Sequence, residues 1–245
     1  MNKLWIIATK DIGEAFRSRS TYIIIIIMIV ITMGYISVYN QNIKGITNPQ
    51  ELIASSRNFL NGLSYVLPMM FSIFVCSVFA NYTVIVDKAK RNIESLMATP
   101  ISIKQIWLGK TLAVALPSLG IGISVAIISF LVMDIGFVIP KTGSFIFPNI
   151  LAVISALILV PVLVFVIVSI VTYIQLVIAN PRIGNLVFSG FFMLLWIGLN
   201  LLGGLGISTN FFALTYLIFI VVCETVAYIL SRHLTKEKVL LSSKV

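Results

Sequence analysis

At 245 residues, with 59% hydrophobic and 10% charged side chains, the chain is not a soluble globular domain, in which about a quarter of residues carry charge. The formal charge of +9 does not point to nucleic acid, because the basic residues sit in short loops between apolar runs, as the positive-inside rule expects of a multi-pass membrane protein. Cys76 and Cys223 both lie inside apolar runs and read as small buried residues, with no disulfide framework or metal-ligand spacing.

Residues 1–19 read as an amphipathic helix. Trp5, Ala8, Ile12, Ala15 and Phe16 fall on one face, and Lys3, Lys10, Glu14 and Arg17 on the other. A basic face opposite Trp and Phe predicts a helix lying flat in the membrane interface. A signal-peptide reading fails on its two acids and on the lack of a small-residue cleavage site. The first span follows at 22–38. An outer loop at 39–57 carries Lys44, Glu51 and Arg57, and the second span runs over 59–86 with a kink expected at Pro68.

After the polar stretch 87–110, the third span covers 111–133. A second outer loop, 134–149, is broken by Pro140 and Pro148. The fourth span, 150–177, is long, with a bend expected at Pro161. The uncharged run 183–223 is 41 residues, about 62 Å as one helix and roughly twice a bilayer, so it must break. Gly203, Gly204, Gly206, Ser208 and Asn210 supply the break, between a fifth span at 186–202 and a sixth at 211–230. Residues 231–245 form a basic tail.

The expected fold is therefore an all-α, six-span membrane protein in one domain, with both termini on the same side. Fourteen of the seventeen basic residues then lie on that side, and only Lys44, Arg57 and Lys141 face the other. A seventh span would put the basic tail outside and is rejected on that ground. No internal repeat is visible, which weighs against an inverted-repeat carrier.

The stretch 87–110, DKAKRNIESLMATPISIKQIWLGK, is the longest polar interruption and holds five basic residues. It reads as two helices meeting at a corner. Pro100 disfavours helical dihedrals at Thr99, so the first helix ends near Ala98. Ser102 and Gln105 have the spacing of a capping box, and Ile101 and Ile106 that of a hydrophobic staple.

Glu94-Ser95-Leu96-Met97-Ala98-Thr99-Pro100-Ile101-Ser102, followed by Leu108-Gly109-Lys110, resembles the signature of the ABC-2 type permease family. The start of the stretch departs from that pattern, with Ala89 where an acid is usual and Arg91-Asn92 where Gly-Thr is usual. The resemblance implies a plasma-membrane permease with six spans, an N-terminal interfacial helix and cytoplasmic termini. It implies two permease chains, as a homodimer or a paralogous heterodimer, assembled with two cytoplasmic ATPase subunits. Within 87–110 it implies that Glu94, Leu96, Thr99, Pro100, Ser102, Gly109 and Lys110 couple the ATPase to the spans. Glu94 would meet basic groups or helix N-termini of the partner, unless it only pairs with Lys90 one turn back. Lys110 also reads as a positive-inside anchor at a helix end.

No catalytic constellation, cofactor site or metal site is present in the sequence. Gly109-Lys110-Thr111 resembles the end of a P-loop, but Lys104 stands where that motif needs glycine. The loop 87–109 is too short to hold an ATPase domain, so any pumping energy comes from another chain. Glu224 is the single charge inside a predicted span, and two readings are open for it. It is an ion or proton site, or it is a structural acid bonded to Tyr228 or to a neighbouring helix. Phe188, Phe192, Trp196 and Asn200 form a stripe on the fifth span, and Phe71, Phe74, Val78 and Tyr82 one on the second. Such stripes are packing or lipid-facing surface as a rule; the family resemblance makes them candidates for lining the route. The rivals to an exporter are an ion-coupled carrier or channel using Glu224 and a membrane scaffold. The few polar groups inside the spans favour an apolar or amphipathic cargo.

Overall fold

The computed structural model describes residues 3–17, 19–178, 180, 183–204 and 210–243. Among them every regular element is helical and none is a strand. Helix α1 is Lys3–Phe16 and α2 is Arg19–Asn42. A single long helix, α3, runs Pro49–Ala89, and the short α4 covers Asn92–Ala98. Then come α5 at Ile103–Thr142 and α6 at Ile150–Val177. Last are α7 at Ile183–Gly204, α8 at Asn210–Arg232 and α9 at Lys236–Ser243.

Helices α2, α3, α5, α6 and α8 are each long and apolar enough to cross a membrane, which makes the chain an all-helical membrane protein. At 41 and 40 residues, α3 and α5 are about 60 Å long and project well beyond a hydrocarbon core of about 30 Å.

Helix α3 starts ten residues before the predicted second span. Asn48 caps it by accepting from Gln50 N at 3.1 Å, Pro49 occupies the first turn, and Glu51 complements the helix dipole. The loop predicted at 134–149 is likewise helical up to Thr142, with Pro140 inside α5. A π turn, Asp134–Val138, comes just before Pro140, and a second, Ser155–Leu159, just before Pro161. Proline lacks an N–H and clashes with the carbonyl four residues back, and a widened turn at that point lets the helix continue. Gly143, at φ 72°, then reverses the chain.

Helices α3 and α5 form the centre of the bundle, with α6 packed on both, α8 on α6, and α2 on the flank of α3. Helix α2 is mostly apolar and buries one face, Thr21, Ile24, Met28, Thr32, Ile36 and Tyr39, against the bundle. In hydrocarbon, small residues and polar pairs hold helices together. Thr32 and Ser129 hydroxyls meet at 2.9 Å, Tyr39 and Ser56 at 2.9 Å, and Tyr216 Oη donates to Tyr65 O at 2.8 Å.

The backbones of α3 and α5 approach closely at Gly122. A Cβ there would lie 2.6 Å from Ser72 N and 2.7 Å from Ser72 Cα, backbone that cannot yield locally. Gly122→Ala is expected to destabilise the bundle by on the order of 1–3 kcal/mol, the usual cost of overpacking. Gly120→Ala, whose Cβ meets open space, is expected to be neutral or stabilising. Thermal unfolding of the two variants in one detergent checks this; equal midpoints would refute the close approach.

Candidate functional site

At one end of the bundle the chain turns the predicted corner. A third π turn, Asn81–Val86, widens α3 one step before Asp87 and Lys88. The helix stops at Ala89, and Arg91 takes the left-handed conformation at φ 57°, the only described non-glycine residue with positive φ. Helix α4 then ends at Ala98, where Thr99 is extended as Pro100 requires. Ser102 caps α5, and both bonds of the capping box with Gln105 are formed.

Lys110 lies two turns into α5 and is fully buried. Its ammonium donates to Asp87 Oδ2 at 2.6 Å, to Asp11 Oδ2 at 3.1 Å and to Thr83 O in the π turn. An ammonium has three protons, and all three are used. Asn92 Nδ2 donates to the other oxygen of Asp87 at 2.9 Å, which ties the start of α4 to the same cluster. Burial pushes the Asp11 carboxyl above the ordinary range, and the Lys110 charge beside it opposes that only in part.

Two further contacts fasten the corner to α6. Lys88 Nζ donates to the carbonyls of Gln175 and Leu176 at 3.3 Å each and of Ile178 at 2.6 Å, at the negative end of the α6 dipole. On the other side of the corner, Trp107 Nε1 donates to Ser169 O at 2.9 Å. Helix α9 closes the underside, with Lys236 Nζ reaching Met97 O at 3.4 Å. An apolar core separate from that of the spans fills the space between, built on Ile7, Ile93, Met97, Ile106, Leu176 and Val239.

The structure divides the predicted coupling residues in two. Thr99, Pro100 and Ser102 are exposed at the tip, beside Ser95 and Ala98, and Glu94 is half-exposed there. Leu96 is half-buried and packs on the second core, while Gly109 and Lys110 are buried. Lys110 is thus no surface anchor: two carboxylates hold it inside. Nor does Glu94 pair with Lys90, because Arg91 breaks the helix between them and removes the one-turn geometry.

The aromatic stripes meet through Phe74 and Phe192, whose ring centroids are 5.1 Å apart. Phe71 and Phe188 are buried core, and Tyr82 Oη lies 3.3 Å from Ser20 Oγ. Trp196 and Asn200 lie on α7, but their side chains fall outside the described residues. Glu224 is exposed on α8, and the Tyr228 hydroxyl accepts from Arg232 instead of bonding it.

The sequence reading missed Asp11, Asp87, Lys88 and Trp107. The available signal was an acid, Asp11, next to Ala8 and Ile12 on the side of α1 predicted to be apolar. Helix α1 buries Ile7, Ala8 and Asp11 and leaves Trp5 and Phe16 exposed, with Asp11 reaching Lys110. Among the described residues no three His, Cys, Asp or Glu side chains are grouped to hold a metal. Comparison with protein families, curated proteins and solved structures finds no match to the chain.

Removing one partner from a buried ion cluster costs about 3–5 kcal/mol, because the charges left behind stay buried. Lys110→Met is therefore expected to be strongly destabilising, and Lys110→Met combined with Asp11→Asn and Asp87→Asn to recover most of the loss. Unfolding midpoints and monodispersity in detergent report both; a triple variant no better than the single one would show that the charges do not act as a unit.

The left-handed backbone costs a residue with a Cβ about 1–2 kcal/mol, and the exposed Arg91 side chain makes no hydrogen bond or ion pair that offsets it. Arg91→Gly is expected to raise stability by on the order of 1 kcal/mol after glycine's larger entropy loss. A lower unfolding midpoint would contradict it.

Proposed function

We propose that the chain is the permease subunit of an ABC-2 type exporter, and that the corner around α4 is its coupling element. The observation that carries this reading is the build of the corner. Its tip is exposed, while its two shoulders are bonded to α1 by Lys110 and to α6 by Lys88 and Trp107. A structural loop needs no such fastening. A loop that receives a push and passes it to several helices does.

In this reading α7 also crosses the membrane, as the fifth of six spans, both termini and the corner are cytoplasmic, and the membrane is the plasma membrane. Two copies of the chain, or this chain and a paralogue, assemble with two ATPase subunits that dock on the tip. ATP-driven closure of the ATPases moves the corner and shifts the spans between inward- and outward-open states. The contact of Phe74 with Phe192 joins α3 to α7, which suits a route lined by the second and fifth spans and an apolar or amphipathic cargo.

The position of Glu224 speaks against an ion-coupled carrier that uses this residue. Intramembrane ion sites face the bundle interior or a water-filled cavity, whereas Glu224 is on the exposed flank of α8 among Val221, Val222 and Ile229. The buried corner contacts also give a passive scaffold no evident use.

Glu94→Arg and Ala98→Arg change the tip without touching a buried contact, so the permease is expected to insert and fold normally. Each places an unmatched charge in a contact that must close in every cycle, at a cost on the order of 2–5 kcal/mol if it is buried. Affinity purification of the tagged chain should then lose its ATPase partner, or retain one that hydrolyses ATP without moving cargo. Full partner recovery and unchanged export in both variants would end the coupling assignment.

A further inference from the structure

At the end of the bundle away from Lys110, α3, α5 and α6 enclose a cavity of about 250 Å³. Its walls include Leu67 on α3, Ile127 and Phe130 on α5, and Leu157 on α6. The sole polar side chain among them is Ser64, whose hydroxyl is already spent on Leu60 O at 2.9 Å. A cavity lined this way offers water no partner; apolar cavities of roughly 150 Å³ in proteins stay dry and take up hydrocarbon.

The depth of the cavity says which hydrocarbon is available. Its α5 lining, residues 123–131, lies about 20–32 Å along the helix from Lys110 at 1.5 Å per residue. The Lys110 cluster joins the interfacial helix α1, so this span of α5 falls in the far leaflet of a core about 30 Å thick. The mouth opens sideways: Ile127 and Leu157, at its rim, are 50% and 52% exposed. Toward the far aqueous side the cavity is roofed. The turn at Gly143 brings the chain back so that Phe145 packs edge-on against Phe130, with ring centroids 6.5 Å apart, and Phe147 stacks beside it. Phe145 and Phe147 are themselves 47% and 64% exposed, so the end of the site toward the far aqueous side is covered by aromatic rings alone and its side is open to acyl chains.

We propose that this cavity binds one acyl chain of a far-leaflet phospholipid. The occupant lies with its terminal part between α3 and α5 and its upper part under Phe145 and Phe147. The proposal does not depend on the exporter reading, since any membrane protein with this cavity would present it to lipid.

The test uses the full chain in nanodiscs of phosphatidylcholine doped with the same lipid carrying a diazirine in one acyl chain. After photolysis, cross-linked peptides are mapped by mass spectrometry. Labelling at 123–131 and 145–157 is expected to exceed, several-fold, that on the exposed flank of α2 at 22–33. Ala126→Phe or Ala156→Phe, which fill the cavity, should abolish the excess and leave α2 labelling unchanged. The wild-type chain alone is decisive if neither variant folds: labelling no denser at the cavity than on α2 means annular lipid only and overturns the proposal. A cross-link to a second copy of the chain across the mouth overturns it as well, as does labelling by a free diazirine fatty acid but not by the phospholipid.

Discussion

One buried cation holds the polar end of this molecule together. Lys110 is on α5, its carboxylate partners are on α1 and α3, and its third acceptor is a main-chain carbonyl. Burying an ammonium costs several kcal/mol even after relaxation, and two carboxylates bring their own penalty, so the cluster is a poor source of net stability. Its effect is positional. Any rotation of α1 or shift of α3 along α5 leaves a charge unmatched in a place water does not reach, which is far costlier than the same slip between apolar helices. The spans are held mainly by apolar packing that tolerates small displacements, whereas this end has one permitted register.

The local chemistry of the corner could be read from the sequence because it is local. Pro100 acting on Thr99, and Ser102 with Gln105, are decided within four residues, and the backbone follows them. The apolar runs were legible for the same kind of reason: length and the lack of charge suffice to place a helix in lipid. What the sequence concealed was non-local. Asp11 and Lys110 are 99 positions apart, and nothing in either neighbourhood announces the other. The facing of α1 depends on that pairing: Ile7, Ala8 and Asp11 are buried against the bundle, while Trp5 and Phe16 stay on the exposed side. Pattern analysis rewards apolar side chains and has no term for an acid whose partner is buried on another helix.

The helix ends show a different lesson. Prolines 140 and 161 were read as a break and a bend, yet both lie in long helices, each just after a π turn. A proline removes one hydrogen bond and crowds one carbonyl; five-residue spacing in the preceding turn relieves both without ending the helix. The π turn before Asp87 has no proline to explain it. It lies where Thr83 gives its carbonyl to Lys110, and there the distortion serves a side chain instead of an imino ring. Asn48-Pro49-x-Glu51 is a readable helix start, and the charges of Glu51 and Arg57 do not stop the helix from beginning there.

The distribution of fixed contacts also limits how the corner can move. Lys88 precedes α4 and Trp107 follows it, and both bond backbone carbonyls in the last turns of α6 and at Ile178 just beyond it. The two shoulders therefore cannot separate from α6 without breaking main-chain hydrogen bonds in a buried setting, where lost partners cost about 1–3 kcal/mol each. Lys110 adds α1 to the same unit. Helix α2, by contrast, meets its neighbours along one apolar stripe, with hydroxyl pairs at Ser20, Thr32 and Tyr39. Under the export reading, force applied at Thr99 and Pro100 would carry α1, α3, α5 and α6 together, as one body about the Lys110 cluster. The yielding contacts would then be the apolar ones at the edges of that body, where sliding leaves no buried polar group without a partner.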